Sequence, residues 1–148
     1  MSSDSLPRLT ETRINHYFNL AKNASQYSDN KRARLGSVII YKNKVLSVGW
    51  NVENKTNPLQ EEYNKLRNYD VDVKFTKSSI HAEFSAMLRI KHMDIDFGKV
   101  YLFVYRERKD GKIGYARPCP ACMGLIKTLG IKNIYYTTSE GWAYERIG

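Results

Sequence analysis

The chain has no apolar run approaching the length of a bilayer span, so a membrane-embedded protein is not expected. Its opening residues, Met1-Ser2-Ser3-Asp4-Ser5, lack the basic-then-apolar order of a secretory leader, and the expectation is a cytoplasmic protein. Cysteine is scarce, with two in 148 residues. No second Cys-x-x-Cys pair exists, which excludes a four-ligand zinc finger. Acidic residues are also few, 15 against 24 lysines and arginines, for a formal net charge of +9. That balance favours polyanions, either nucleic acid or phosphorylated small molecules. The cations divide evenly between the two halves, so there is no basic tail. Two clusters stand out, Lys31-Arg32-Arg34 and Arg106-Arg108-Lys109-Lys112. A solvated, soluble surface is the plain alternative reading of both. The remaining composition is that of a globular protein, and the length fits one domain spanning 1–148 with a real core.

The first helix is signalled by Thr10 as N-cap and Glu11 in the first turn. Leu9 and Ile14 match a hydrophobic staple, and Ile14, Tyr17, Phe18 and Ala21 share one face. His16 falls off that face and reads as exposed. Leu35 to Tyr41 and Val45 to Trp50 read as strands, with Lys42-Asn43-Lys44 as their turn. Val52 to Ser79 is a long connection, and such length in a compact domain suggests a functional insertion. Part of it reads as helix, with Asn57 as cap, Pro58 at the first position, Glu61-Glu62 ahead of Lys65 and Arg67, and Leu59, Tyr63 and Leu66 on one face. A second main helix is expected from Ser79 to His92, its core stripe being Ile80, Phe84, Met87, Leu88 and the stem of Lys91. His92 then falls in the last turn, a structural place for a histidine. Lys99 to Tyr105 reads as a buried strand and Arg106 to Arg117 as a polar loop turning at Asp110-Gly111. A third helix runs from the cysteines to Leu129, with Gly130 at C′, before a strand over Ile131 to Thr137. Alternating strands and helices argue a sheet with parallel crossovers. The stretch after Thr137 is too short for another crossover. A fifth strand over Trp142 to Ile147 is therefore expected to return antiparallel.

Two short motifs carry the chemistry. One is His81-Ala82-Glu83; the other is Pro118-Cys119-Pro120-Ala121-Cys122. One imidazole and two thiolates supply three protein ligands and leave a fourth position open, the count of a catalytic rather than a structural zinc site. Cys119 and Cys122 are i, i+3 and share a face of one helical turn. A helix N-terminus lowers thiol pKa values, and the thiolate is the metal-binding form. Pro118 and Pro120 stiffen the entry and remove amides that a helix start leaves unpaired. Glu83 beside the histidine supplies a proton carrier and is not itself expected to ligate. A disulfide or a redox pair is the other reading of Cys-x-x-Cys; the histidine and the carboxylate favour the metal.

The pair His-x-Glu and Pro-Cys-x-x-Cys resembles the signature of the zinc-dependent base deaminases. From about Leu35 to Thr137 the sequence resembles the cytidine/deoxycytidylate deaminase superfamily, with softer matches at Gly49-Trp50-Asn51 and Gly130 to Tyr136, and its phage-encoded members come nearest. The resemblance implies a three-layer α/β/α sandwich around a five-stranded mixed sheet, one Zn2+ per chain on His81, Cys119 and Cys122, and Glu83 as the catalytic acid/base. It also implies that Asn51 binds the substrate sugar, that the Ala82 amide meets the base edge, and that the Arg117 carbonyl receives the departing amino group. Homo-oligomers are usual among relatives, so one is expected here. With both cysteines assigned to one metal, the second, structural zinc of many deoxycytidylate deaminases is not expected. The antiparallel fifth strand leans toward the free cytidine branch, whereas Gly-Trp-Asn resembles the tRNA-adenosine branch.

The implied reaction is hydrolytic loss of ammonia from a cytosine nucleotide or nucleoside. A nucleotide is preferred because the basic stretch from Arg106 leads into the site. The alternative is a deaminase acting on cytosine or adenine in single-stranded DNA or RNA, with Tyr115, Trp50 or Trp142 as stacking platforms; core packing is the ordinary role of such aromatics. A non-catalytic binding protein is a third class, and Glu83 argues against it.

Overall fold

A computed structural model describes residues 9–30, 32–53 and 79–148. The expected helix around Pro58, and with it Asn57 to Arg67 and Lys31, lies outside the described residues. Helix α1 spans Glu11–Ser25. It is followed by strands β1 (Ala33–Tyr41) and β2 (Lys44–Trp50), then the short strands β3 (Val52–Glu53) and β4 (Ser79–Ile80). Helix α2 (Ala82–Leu88), strand β5 (Tyr101–Arg108), helix α3 (Pro120–Leu129) and strands β6 (Asn133–Thr138) and β7 (Gly141–Arg146) complete the order.

The main sheet has five strands in the order β2-β1-β5-β6-β7. β5 and β6 pair in parallel. The pairs β1–β2, β1–β5 and β6–β7 are antiparallel. The sheet is therefore mixed, and β7 returns antiparallel through the tight turn between Thr138 and Gly141. Successive residues of the central strands feed opposite layers. Val38, Ile40, Phe103 and Tyr135 pack with Ile14, Tyr17 and Phe18 of α1. Ile39, Leu102, Val104 and Ile134 pack with Phe84 and Met87 of α2 and with Met123, Leu125 and Ile126 of α3. Burial on both faces explains why Val38-Ile39-Ile40 and Leu102-Phe103-Val104 read as unbroken apolar runs. The arrangement is the expected three-layer α/β/α sandwich.

The local signals hold where they rest on neighbouring residues. The Thr10 hydroxyl accepts from the Arg13 amide at 3.2 Å, closing the cap. The β1–β2 hairpin turns on Lys42 and Asn43, both at positive φ (50° and 64°), a pairing whose twist matches its strands; Lys44 already belongs to β2. Gly130 takes φ 91° and closes α3 with bonds to the Ile126 and Lys127 carbonyls.

Two expectations are corrected. The second main helix does not reach from Ser79 to His92. Ser79 and Ile80 pair with Glu53 and Val52, so the helix starts after His81. Its far end gives way to tight turns, Ile90 to Met87 and Met93 to Ile90, which replace the helical ladder. Arg106 to Arg108 are not loop but strand. Ala33, Arg34 and Leu35 stand opposite Arg108, Glu107 and Arg106 in the β1–β5 register. Long-range pairing thus overrides a polar local sequence.

α2 is seated on β1 and β2 by three contacts that together fix the height of His81 and Glu83. The buried Ser37 and Ser47 hydroxyls donate to the Ala82 and Ala86 carbonyls at 2.7 and 2.9 Å. Between them Gly49 lets the helix backbone approach the strand. A Cβ at Gly49 would collide with the Ala82 carbonyl and lie 2.7 Å from the Ala86 amide nitrogen. Gly49→Ala is therefore expected to destabilise the fold by about 1–3 kcal/mol through overpacking. Thermal unfolding of the two proteins checks this; an unchanged Tm would mean that α2 is not seated as described.

Candidate active site

The two motifs sit at the starts of two helices. His81 occupies the N-cap of α2 with extended φ and ψ of −78° and 146°, and its side chain makes no cap bond. Cys119 does the same for α3 at −70° and 168°, followed by Pro120 in the first turn. Proline fits there because its missing N–H would have no helical partner. The imidazole and the thiol are turned away from capping and toward each other. His81 Nδ1 lies 3.4 Å from Cys119 Sγ and 3.3 Å from Cys122 Sγ, and all three donor atoms lie within 4.8 Å of one another. Cys122 is fully buried, and no disulfide joins it to Cys119.

This donor set fits zinc. Tetrahedral bonds of about 2.0–2.1 Å to nitrogen and 2.3 Å to sulfur place N and S roughly 3.6 Å apart, a few tenths of an ångström beyond the separations here. One nitrogen and two sulfurs also match the ligand preferences of Zn2+. The Cys119 thiol is held low, at about 3, by the hydrogen bond from Cys122, against burial and with help from His81. It is therefore poised as thiolate. Among the described residues, no other group of three such side chains is gathered in this way.

Glu83 stands in the first turn of α2, 3% exposed. Its Oε1 is buried with no hydrogen-bond partner. Leaving such an atom unsatisfied is costly, so a ligand atom is the natural partner. Burial pushes the Glu83 carboxyl up, and the nearby Cys119 adds to the rise while His81 opposes it. A carboxyl displaced upward is suited to exchanging protons near neutral pH.

A cavity of about 330 Å³ opens onto these groups. It is lined by His81, Ala82, Glu83 and Cys119, by Asn51, Arg106 and Arg117, and by Tyr115 and Arg32 among others. Six of the seven residues expected from sequence thus line one cavity, and Cys122 lies beneath it. The Asn51 side chain is engaged at both ends by β1. Its Oδ1 accepts from the Leu35 amide at 2.8 Å and its Nδ2 donates to the Ala33 carbonyl at 3.0 Å. An amide holds one more donor and one more acceptor position, so Asn51 presents a fixed residual pair. Arg117 forms a two-pronged pair with Glu145 of β7 at 2.9 and 2.8 Å, and Tyr136 donates to the same carboxylate at 3.2 Å.

Two groups escaped the sequence reading. Glu145 anchors Arg117 from 28 residues away, and Thr137 takes the Arg106 amide at 3.1 Å while donating to the Gly114 carbonyl at 2.8 Å. Neither belongs to a motif. Tyr115 was noted only as a possible platform; it is exposed and stands at the cavity rim. The other candidate platforms do not join it. Trp142 packs with Phe18 and Tyr135 on the α1 side of the sheet. Trp50 packs with Tyr27 and lies under Arg89. His16 is exposed and His92 sits in the turns after α2, and neither belongs to the His81–Cys119–Cys122 group.

Comparison with known proteins now bears on the site. Residues 11–138 match the family described as cytidine and deoxycytidylate deaminase zinc-binding region. The chain belongs to this family. Solved structures with the same fold include the apo dCMP deaminase of cyanophage S-TIM5, at 21% identity, 88% of this chain, 86% of that one and TM-score 0.60. The same phage enzyme in complex with dCMP and dUMP gives 21% identity, 88% and 85% coverage and TM-score 0.61. The cytidine deaminase of Burkholderia pseudomallei gives 17% identity, 93% coverage of each chain and TM-score 0.61. At these identities the likeness is one of fold. No curated protein sequence matches the chain. Among the described residues no helix is long and apolar enough to cross a membrane.

The upward displacement of Glu83 has a definite consequence for the metal-free protein. A carboxyl raised by burial favours folding while protonated and opposes it once ionised. Stability from this group is present below the unfolded value near 4.5 and declines as pH rises toward the folded value. Metal-free Glu83→Gln is therefore expected to melt higher than the metal-free parent, by a margin that widens as pH rises above the ordinary carboxyl value near 4.5. Paired melting curves taken at increasing pH test it; a margin that shrinks with pH would contradict the burial of an ionisable Glu83.

Proposed function

We propose that this chain is a zinc-dependent hydrolase that removes the exocyclic amino group of cytosine in a nucleotide or nucleoside, giving the uracil form and ammonia. In this reading His81, Cys119 and Cys122 hold one zinc ion per chain. Zinc in such a ligand set supplies Lewis acidity that brings water ionisation toward neutral pH. Glu83 carries the protons. Its carboxylate takes one from the attacking water and gives it to the ring nitrogen beside the attacked carbon; it then moves a second to the leaving amine. The water oxygen stays on the ring, the carbon–nitrogen bond breaks, and ammonia leaves.

The other residues bind and orient. Asn51, held by β1 at both ends, offers its residual donor and acceptor to the sugar. The Ala82 amide, at the first position of α2 where no helical acceptor exists, meets the base edge. The Arg117 carbonyl, ahead of Pro118, accepts from the amine as it departs. The clamp from Glu145 keeps that segment in place. Homo-oligomer formation and cytoplasmic residence belong to the same proposal.

The observation that carries this reading is Glu83 itself: a buried carboxylate with an unpartnered oxygen, in one cavity with His81 and Cys119. A binding protein has no use for it. The exposed Tyr115 at the rim favours single-stranded nucleic acid as the second reading, by stacking. Glu83→Gln is expected to keep about one zinc per chain while ammonia release falls by at least about 10²- to 10⁴-fold. Metal analysis beside an ammonia assay on cytidine and dCMP checks both. A variant that retains turnover would remove Glu83 from the reaction.

A further inference from the structure

Among the described residues the main sheet ends in β2 on one side and β7 on the other. The two edges are finished differently. The β2 edge opens with Lys44, beside Lys42 of the turn, and its pairing with β1 shifts register between Ile39 and Ile40. Lysines and irregular pairing keep an edge from recruiting another strand. β7 has neither lysine nor proline, and its pairing with β6 runs without a shift from Thr138–Gly141 to Asn133–Arg146.

The outward backbone of β7 follows from that register. Ile147 donates its amide to the Lys132 carbonyl at 2.7 Å, one step beyond the Asn133–Arg146 pair. Bonded positions alternate along an antiparallel pair. Gly141, Ala143 and Glu145 therefore turn their backbone groups to β6, and Trp142, Tyr144 and Arg146 turn theirs outward. The side chains on the α1 face end at the same edge. Val38, Phe103, Tyr135 and Tyr144 stand in one row across β1, β5, β6 and β7. Phe103 and Tyr135 stack at 4.6 Å, and the Tyr135 and Tyr144 rings are 4.9 Å apart. The row stops at Tyr144, 38% exposed, with Trp142 on the same face at 40%. A groove of about 340 Å³ lies beside them, lined also by Leu9, Glu11, Ile14 and Tyr135.

We propose that this edge pairs with β7 of a second copy, antiparallel about a two-fold axis at Ala143, joining two five-stranded sheets into one. The proposal rests on the homo-oligomer of the reading above and gives it a defined interface. Centred on Ala143, Trp142 of each copy exchanges backbone bonds with Tyr144 of the other, and the aromatic row continues across the axis. Glu140 and Arg146, both exposed, then face each other with opposite charge. The symmetry makes each pair twice, and aromatic and opposite-charge pairs are the contacts that stabilise neighbouring strands. A centre at Trp142 or Tyr144 separates Glu140 from Arg146. This self-complementarity points to a copy of the chain rather than an unrelated strand.

Sedimentation velocity over a concentration series tests it on the zinc-loaded chain, on Glu140→Arg, on Arg146→Glu and on the two changes combined. The parent is expected to dimerise. Each single reversal replaces two attractions by two repulsions and is expected to raise the dimer Kd roughly 10-fold; the combined variant should recover most of the loss. Both positions are exposed, and Tm with zinc content identifies a variant that merely misfolds. Ala143→Cys supplies a second measurement. Facing residues at a non-bonded pair lie about 4.5 Å apart between Cα atoms, within disulfide reach. Under oxidised glutathione this variant is expected to form a dimer that dithiothreitol reverses, while the parent treated alike does not. A monomeric parent overturns the proposal; dimers appearing only after removal of residues 1–8 would make that segment the occupant. An oligomer indifferent to the reversals and to Ala143→Cys overturns the β7 interface and leaves assembly to another surface. A combined variant no better than either single one overturns the register. None of these readouts involves turnover, so each outcome leaves the deaminase chemistry to the Glu83→Gln test.

Discussion

Everything at the site depends on bringing two helix starts to one point. His81 and Cys119 are the N-caps of α2 and α3, and neither uses its side chain to cap. Their donor atoms, with Cys122, close to within 4.8 Å. The sheet makes this possible. β5 and β6 are its one parallel pair, and α3 is the crossover between them. That topology delivers the start of α3 to the carboxyl end of β5, where ligands of open α/β sheets gather. α2 reaches the same place from the other side, seated by Gly49 and the two buried serines. Both helices then share one apolar layer with β5 and β6, so a shift of either start is resisted by the core beneath it.

The electrostatics of the site follow from that convergence. Cys119 is poised as thiolate at about 3 by Cys122 and His81, whereas burial drives the Glu83 carboxyl the opposite way. Two acids lining one cavity are thereby displaced in opposite directions, as the proposed division between a metal-holding thiolate and a proton-exchanging carboxyl requires. Outside this inner layer the cavity wall carries Arg32, Arg106 and Arg117, and the last of these is matched by Glu145.

Sequence reveals these features unevenly, and the physical range of each interaction explains why. The gathering of His81, Cys119 and Cys122 was legible because Cys119 and Cys122 are three apart on one turn and His81 and Glu83 form a second short motif at another helix start. α1, the Lys42-Asn43 turn and Gly130 were legible because caps and turns are local. The antiparallel return of β7 was legible because the residues between Thr137 and Trp142 are too few for a crossover. The short α2 was not, because its start is set by Val52 and Glu53 pairing with Ile80 and Ser79 across the long connection. Arg106 read as loop because its strand character comes from Leu35, some seventy residues upstream. Asn51 read only as a substrate contact, since nothing local indicates that β1 already engages both ends of its amide. The Arg117–Glu145 clamp was invisible for the same reason.

The central claim is that His81, Cys119 and Cys122 together hold a zinc ion whose fourth position is open. X-ray absorption at the zinc edge on the purified, zinc-loaded protein tests it most directly. The expected shell contains two sulfurs at about 2.3 Å and two light atoms at about 2.0–2.1 Å, one of them an imidazole nitrogen. A shell of four sulfurs, or one of oxygen and nitrogen without sulfur, would contradict it.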